Sequence, residues 1–168
     1  MNVSGFTQVV ANYPLTTDFS ASSVSPNITA SQINISNLYS GYIADDGFGT
    51  VFETYPNATS YTASISGGFY FAFTIHSNTT MPNMYLQFFV GKGGNSNPRA
   101  FAIRSSLDNF ATDLYTETLP CSAQAAPTER VVAVPSNGVN SVTFRFYEWS
   151  PSRFNSVDYA NLSVLFVV

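Results

Sequence analysis

The chain has 168 residues, enough for one domain with a sizeable core, and carries a net charge of −4 with only 10% charged residues. Its six cations, Lys92, Arg99, Arg104, Arg130, Arg145 and Arg153, are scattered, which excludes the basic stripe that nucleic-acid binding requires. Aromatic residues make up 15%, and with so few charges the surface has to be clothed in Asn, Ser, Thr and Tyr, a coat common on secreted, adhesive and capsid-forming β proteins.

Strand signals follow one another at short spacing, each bounded by Gly, Pro, Asn or Ser. In chain order they predict strands over 8–15, 32–38, 50–54, 69–76, 84–90, 100–105, 114–119, 131–134, 142–149 and 160–167. Phe69, Phe71, Phe73 and Ile75 fall on one face and Tyr70, Ala72, Thr74 and His76 on the other, a period of two, and no window shows a comparable helical stripe. Turn chemistry separates the strands at Asp45–Gly49, Ser66-Gly67-Gly68, Gly91–Asn95 and Pro135–Gly138, with 91–98 reading as a hairpin tip and 120–127 as an exposed loop. The expectation is an all-β, antiparallel β-sandwich of jelly-roll type, a single domain over 1–168 with 1–10 as an N-terminal arm.

The lone Cys121 excludes an internal disulfide. No run reaches the ~18 apolar residues of a membrane span. The opening Met-Asn-Val-Ser-Gly has neither the basic start nor the apolar stretch of a signal peptide. The last strand ends apolar on both faces, so it is covered by a second layer or by another subunit. Val9, Val10, Phe166 and Val168 are accordingly candidate contacts to an oligomer partner or a shell.

The most specific stretch runs from Phe101 to Leu119: a strand, Arg104-Ser105-Ser106, then Asp108, Phe110, Asp113 and Leu114. It resembles a family of jelly-roll, carbohydrate-binding-module-like domains in exported bacterial proteins, often those carrying a C-terminal sorting signal. The strand Val142–Tyr147, the final Asp158-Tyr159-Ala160-Asn161-Leu162 and the early Tyr13-Pro14-Leu15 and Asp18-Phe19 match the same pattern. The resemblance implies a lectin-like sandwich; function does not follow from fold.

Chemistry-bearing residues are sparse. Arg104, Asp108 and Asp113 read as a turn lock, with an Arg104–Asp108 pair pinning the hairpin. The acidic residues form no paired-carboxylate motif, and His76 has no nucleophile or metal-ligand spacing beside it, so no catalytic residue is assigned. No cofactor is required, and the candidates for a calcium site are Asp18, Asp45 and Asp46. Tyr39, Tyr42, Tyr55, Tyr61, Tyr115, Tyr147, Trp149 and Tyr159 could stack on sugars or partners, and Trp149, Tyr147, Tyr115 and Tyr159 are the ligand or partner contacts singled out.

These features together lead to a non-enzymatic structural surface protein: a homo-oligomeric decoration or cement subunit docking on a phage-type capsid or similar shell, located at the virion surface. The alternative is a carbohydrate-binding or adhesive module of an extracellular protein, with a glycan as partner and Trp149 as its anchor. Neither reading involves nucleic acid or a membrane.

Overall fold

The computed structural model describes residues 7–94, 97–120, 124–136, 138–151 and 155–167. Its first elements are β1 (Thr7–Tyr13), β2 (Ser23–Val24), β3 (Ile28–Ala30), β4 (Asn34–Ser36), β5 (Ser40–Asp45), β6 (Thr50–Tyr55) and the helix α1 (Tyr61–Gly67). Then come β7 (Tyr70–Ser77), β8 (Met84–Lys92), β9 (Arg99–Ser105), β10 (Tyr115–Leu119), β11 (Ala125–Val134), β12 (Ser141–Trp149) and β13 (Val157–Val167).

The strands form two antiparallel sheets. The first runs β11-β8-β13-β1-β2, with β6 beside the opening residues of β13 and β5 on β6. The second runs β10-β9-β12-β7-β3, with β4 sharing the β7 edge. The architecture is the expected all-β sandwich of jelly-roll type. Alternation builds it: on β8, Met84, Leu86, Phe88 and Val90 are buried, while the residues between them are half-buried.

Rings fill the space between the sheets. Phe71 and Phe146, on neighbouring strands, stack at 4.5 Å. Tyr159, from the opposite sheet, meets Phe71, Phe101 and Phe146 edge-on at 5.0, 5.9 and 5.8 Å. Offset stacks and edge contacts are the arrangements that the ring quadrupole favours.

The apolar chain ends are used within this fold. β1 pairs with β13 from Thr7–Val167 to Tyr13–Leu162. Val10 is buried and does not present itself to a partner, while Phe166 is half-buried against the core. Val9 is 47% exposed, and Val168 lies outside the described residues. Of the expected arm, residues 7–10 belong to β1.

The open edges of the two sheets are tied together at one place. Arg130 on β11 donates from Nε and Nη2 to the two oxygens of Glu117 on β10, at 2.7 and 2.6 Å. The Tyr115 hydroxyl also donates to Glu117 at 2.7 Å. Burial opposes the charge on Glu117, but Arg130 outweighs it and holds the carboxyl below its usual range. A two-pronged pair with restricted side chains contributes more than a typical surface pair. Glu117→Gln is expected to cost about 1 kcal/mol at pH 7. Because a depressed pKa stabilises above the unfolded value and is lost as pH falls, the penalty should vanish at low pH. Urea midpoints of both proteins at pH 7 and pH 3 check this.

Sequence patterning missed α1, β2, β3 and β5. The helix has only seven residues, too few to show a 3.6-residue stripe. Its signals were local: the Ser60 hydroxyl accepts from Ala63 N, and Gly68, at φ +65°, closes the last turn. The expected hairpin over 91–98 is not formed: β8, which runs to Lys92, lies in the first sheet and β9, which starts at Arg99, in the second. Of the expected loop 120–127, residues 125–127 open β11.

Candidate functional site

The outward face of the second sheet carries Tyr70, Tyr147 and Trp149, while Tyr42 and Tyr55, also marked in the sequence, stack at 5.9 Å on β5 and β6 of the first sheet. On β12, Val142, Phe144, Phe146 and Glu148 point into the core, which turns Thr143, Arg145, Tyr147 and Trp149 outward. Register then sets rows across the sheet. Trp149 lies beside Ala100, which lies beside Thr118. In the next row, Tyr147 lies beside Ala102, which lies beside Thr116, and Arg145 beside Arg104 begins the third.

Helix α1 packs on β12 and brings Tyr61 to this face. The Tyr61 ring stands at 80° to the Trp149 indole with centroids 5.2 Å apart. Together they border a cleft of about 310 Å³, lined also by Ala100 and Thr118 from the sheet and by Ser60, Pro98 and Pro151. Arg99 also borders it, but its guanidinium is turned to the carbonyls of Asn97 and Gly93. The lining therefore offers a flat indole, a phenol ring and hydroxyls, with no carboxylate.

The sequence-marked lock holds one end of this cleft. Arg104 donates from Nε to Asp113 at 2.6 Å, from Nη1 to the Phe110 carbonyl at 2.8 Å and from Nη2 to the Tyr61 hydroxyl at 2.6 Å. The same hydroxyl donates to Asp113 at 2.8 Å. The expected Arg104–Asp108 pair is not formed. Asp108 ends a 3-10 turn and accepts instead from Ala111 N, Thr112 N and the Thr112 hydroxyl. The Thr112 contacts hold its carboxyl below the usual range.

The other expected contacts are distributed differently. Tyr159 is fully buried in the ring cluster, so it cannot meet a ligand. Tyr147 is 4% exposed, set edge-on to Tyr70 at 5.0 Å and beneath Arg104. Tyr115 faces inward on an edge strand, its ring 5.9 Å from Phe101 and its hydroxyl on Glu117. Trp149 alone of the four borders the cleft. Tyr61 counted only as one of eight aromatics in the sequence, because nothing there linked it to Trp149 across 88 residues. His76 is exposed at a strand end, and Cys121 lies outside the described residues.

Four acidic residues, Asp45, Asp46, Glu53 and Asp158, gather at one end of the first sheet. A cleft of about 430 Å³ is bordered by Asp45, Asp46, Glu53, Tyr55, Asn155 and Ser156. Asp45 and Asp46 each accept from a backbone N–H of their own turn, from Gly47 and Phe48. Asp18 caps its own loop through Ser20 N and does not line the cleft. The three residues expected for calcium thus do not form one donor set. Asp158, buried beside the cleft, is held up to about pH 6 by burial and by the charges of Glu53 and Asp46, against the pull of Ser156 and Arg99. Among the described residues, no three His, Cys, Asp or Glu side chains converge as a metal cage. Among them, too, no helix is long and apolar enough to cross a membrane.

No family model matches the sequence, and no curated protein does. Solved structures do match. A cleaved adhesin domain of Lys-gingipain from Porphyromonas gingivalis superposes with a TM-score of 0.55 at 11% identity, over 94% of this chain and 99% of that one. A xylanase 10B structure from Clostridium thermocellum, comprising CBM22-1 and GH10 modules complexed with xylohexaose, gives 0.51 at 10% identity. The match covers 95% of this chain and 28% of that two-module protein. At these identities the likeness is one of fold: this chain has the jelly-roll sandwich of carbohydrate-binding-module-like domains.

Proposed function

We propose that the chain is a non-catalytic carbohydrate-binding module acting in an extracellular setting, with its ligand site at the Trp149–Tyr61 cleft. The observation that carries this reading is the perpendicular pair of rings that borders one cleft with Ala100 and Thr118. The apolar C–H face of a sugar stacks on an indole, while its hydroxyls meet small polar side chains at the rim. No carboxylate borders the cleft, and Glu148, the acid adjacent to Trp149, points into the core, so nothing there is placed to protonate a glycosidic oxygen.

The capsid-docking reading, the first to follow from the sequence, drew in part on the apolar chain ends. With β1 paired to β13, Val10 buried and Phe166 half-buried against the core, that motive is weakened, and Val9 remains exposed. The glycan reading is the one supported by a built site.

A glycan array spanning xylan, mannan and β-glucan oligosaccharides tests it. Binding to at least one class is expected, and Trp149→Ala should weaken it by about thirtyfold, the loss of roughly 2 kcal/mol that truncating a central aromatic anchor brings. Binding that survives Trp149→Ala unchanged, with a circular-dichroism spectrum like wild type, would place the ligand elsewhere.

A further inference from the structure

The cleft at the end of the first sheet is built around a buried acid. Strand alternation sends Val157 and Tyr159 into the core, so Asp158 between them faces out of the sheet, beside Glu53 on β6. Glu53 borders the cleft, and so does Gly93, which crosses in front of Asp158: a Cβ placed on Gly93 would lie 3.4 and 3.5 Å from the two Asp158 oxygens. Asp158 is nevertheless fully buried, and neither oxygen has a hydrogen-bond partner of normal geometry. The Oδ2 atom of Asp46, another residue of the cleft, is buried in the same condition. A buried carboxylate lacking such partners is costly, so a cation is stabilised here. Two cations already stand nearby: Arg99, which pulls on Asp158 and donates to the Asn97 and Gly93 carbonyls, and Lys92, whose Nζ donates to the Gly94 carbonyl. With both counted, the four carboxylates of Asp45, Asp46, Glu53 and Asp158 still leave the cleft negative.

The shape of the site selects among cations. Among the described residues no three acidic side chains converge as a metal cage, whereas about 430 Å³ is the space of a small-molecule pocket rather than of one ion. Tyr55 supplies a ring at the border. Stacked on Tyr42 at 5.9 Å and tied through its hydroxyl to Glu53 at 2.9 Å, it is fixed beside the carboxylates. Ring faces attract ammonium groups and pack on the C–H faces of sugars. Asn155 and Ser156 add amide and hydroxyl groups of the kind that meet sugar hydroxyls. An ammonium carries three donors on one atom and can meet separate carboxylates one at a time. We propose that this cleft binds an amino sugar with a free amine, Asp46 and Glu53 receiving its ammonium and Asp158 supplying negative charge beneath them. The site lies on the opposite sheet from the Trp149–Tyr61 cleft and does not rest on the reading of that cleft.

Calorimetry on the full chain at pH 6 tests this, with glucosamine disaccharide, its N-acetylated counterpart, Nα-acetyl-lysine amide and calcium chloride as separate titrants. The free-amine disaccharide is expected to bind at least about tenfold more tightly than the acetylated one, the worth of a charge-assisted hydrogen bond. It should also bind more tightly than the lysine derivative, which brings the same ammonium without the sugar ring. Glu53→Gln and Asp46→Asn keep the shapes of their side chains, and each should weaken binding of the free-amine sugar about tenfold. Equal affinity for the free and acetylated sugars, equal affinity for the lysine derivative, or calcium bound more tightly than the amino sugar would each overturn the proposal. Binding undiminished in both variants, or no binding of any titrant, overturns it as well. Should one variant fail to fold, the other variant and the wild-type comparison of free and acetylated sugar decide.

Discussion

Replacing Glu148 with glutamine is expected to make the protein more stable at pH 9 and to flatten its stability between pH 5 and pH 8. Glu148 is fully buried, and burial, with the charge of Asp158 adding to it, lifts its pKa from 4.5 to about 8 against the pull of the Thr54 and Tyr159 hydroxyls. The Thr54 hydroxyl lies 2.7 Å from Glu148 Oε1 and 3.1 Å from the Val157 carbonyl. One hydroxyl proton cannot serve both oxygens fully. A protonated Glu148 resolves this by donating to Thr54, which then donates to Val157. The folded state thus keeps a proton that the unfolded chain releases, so stability from this group is full below pH 4.5 and falls as pH rises through 8. The upper bound on that loss is roughly 5 kcal/mol, and Glu148→Gln, whose amide donates to Thr54 at any pH, should recover about 2–4 kcal/mol of it at pH 9. Asp158, lifted to about 6, acts in the same direction and leaves a smaller slope in the variant. Urea midpoints from pH 5 to pH 9 measure the effect, and parallel profiles for the two proteins would show that Glu148 is not the buried acid described.

The second large effect is expected in the core. Phe146 stacks on Phe71 and also touches Phe73, Phe88 and Tyr159, so it joins rings from both sheets. Phe146→Ala removes these contacts and leaves a void that neighbouring strands, fixed by their ladders, fill poorly. A loss of about 3–5 kcal/mol is expected. For a chain of this size that lowers Tm by roughly 10 °C. Phe110→Ala is the control, since that ring stacks on Arg145 outside the core. If calorimetry showed the two variants equally stable, the ring cluster would not be the seat of stability.

Much of this architecture was legible in the chain because period-two alternation is a strong signal where one face is buried. The runs on β7, β8 and β12 announced themselves through Phe71, Phe73, Phe88, Phe144 and Phe146. What alternation could not give was the pairing between distant strands, and hence the rows that set Trp149 beside Ala100 and Thr118. Tyr159 and Tyr147 look like surface aromatics in the sequence. Only the tertiary contacts show them covered, Tyr159 by rings of the opposite sheet and Tyr147 by Tyr70, Arg104 and Arg145. The Arg104–Asp113 lock stood out as a motif, but its tie to Tyr61 depends on a seven-residue helix too short to pattern.

Trp149 is the chain's single tryptophan, so its fluorescence reports on the cleft directly. Titrating the protein with the sugar it binds by calorimetry, while following indole emission and its quenching by acrylamide, tests the placement of the site. A saturable change in emission, with quenching suppressed in step with calorimetric binding, is the expected result. Sugar bound by calorimetry with Trp149 emission and quenching unaltered would contradict it.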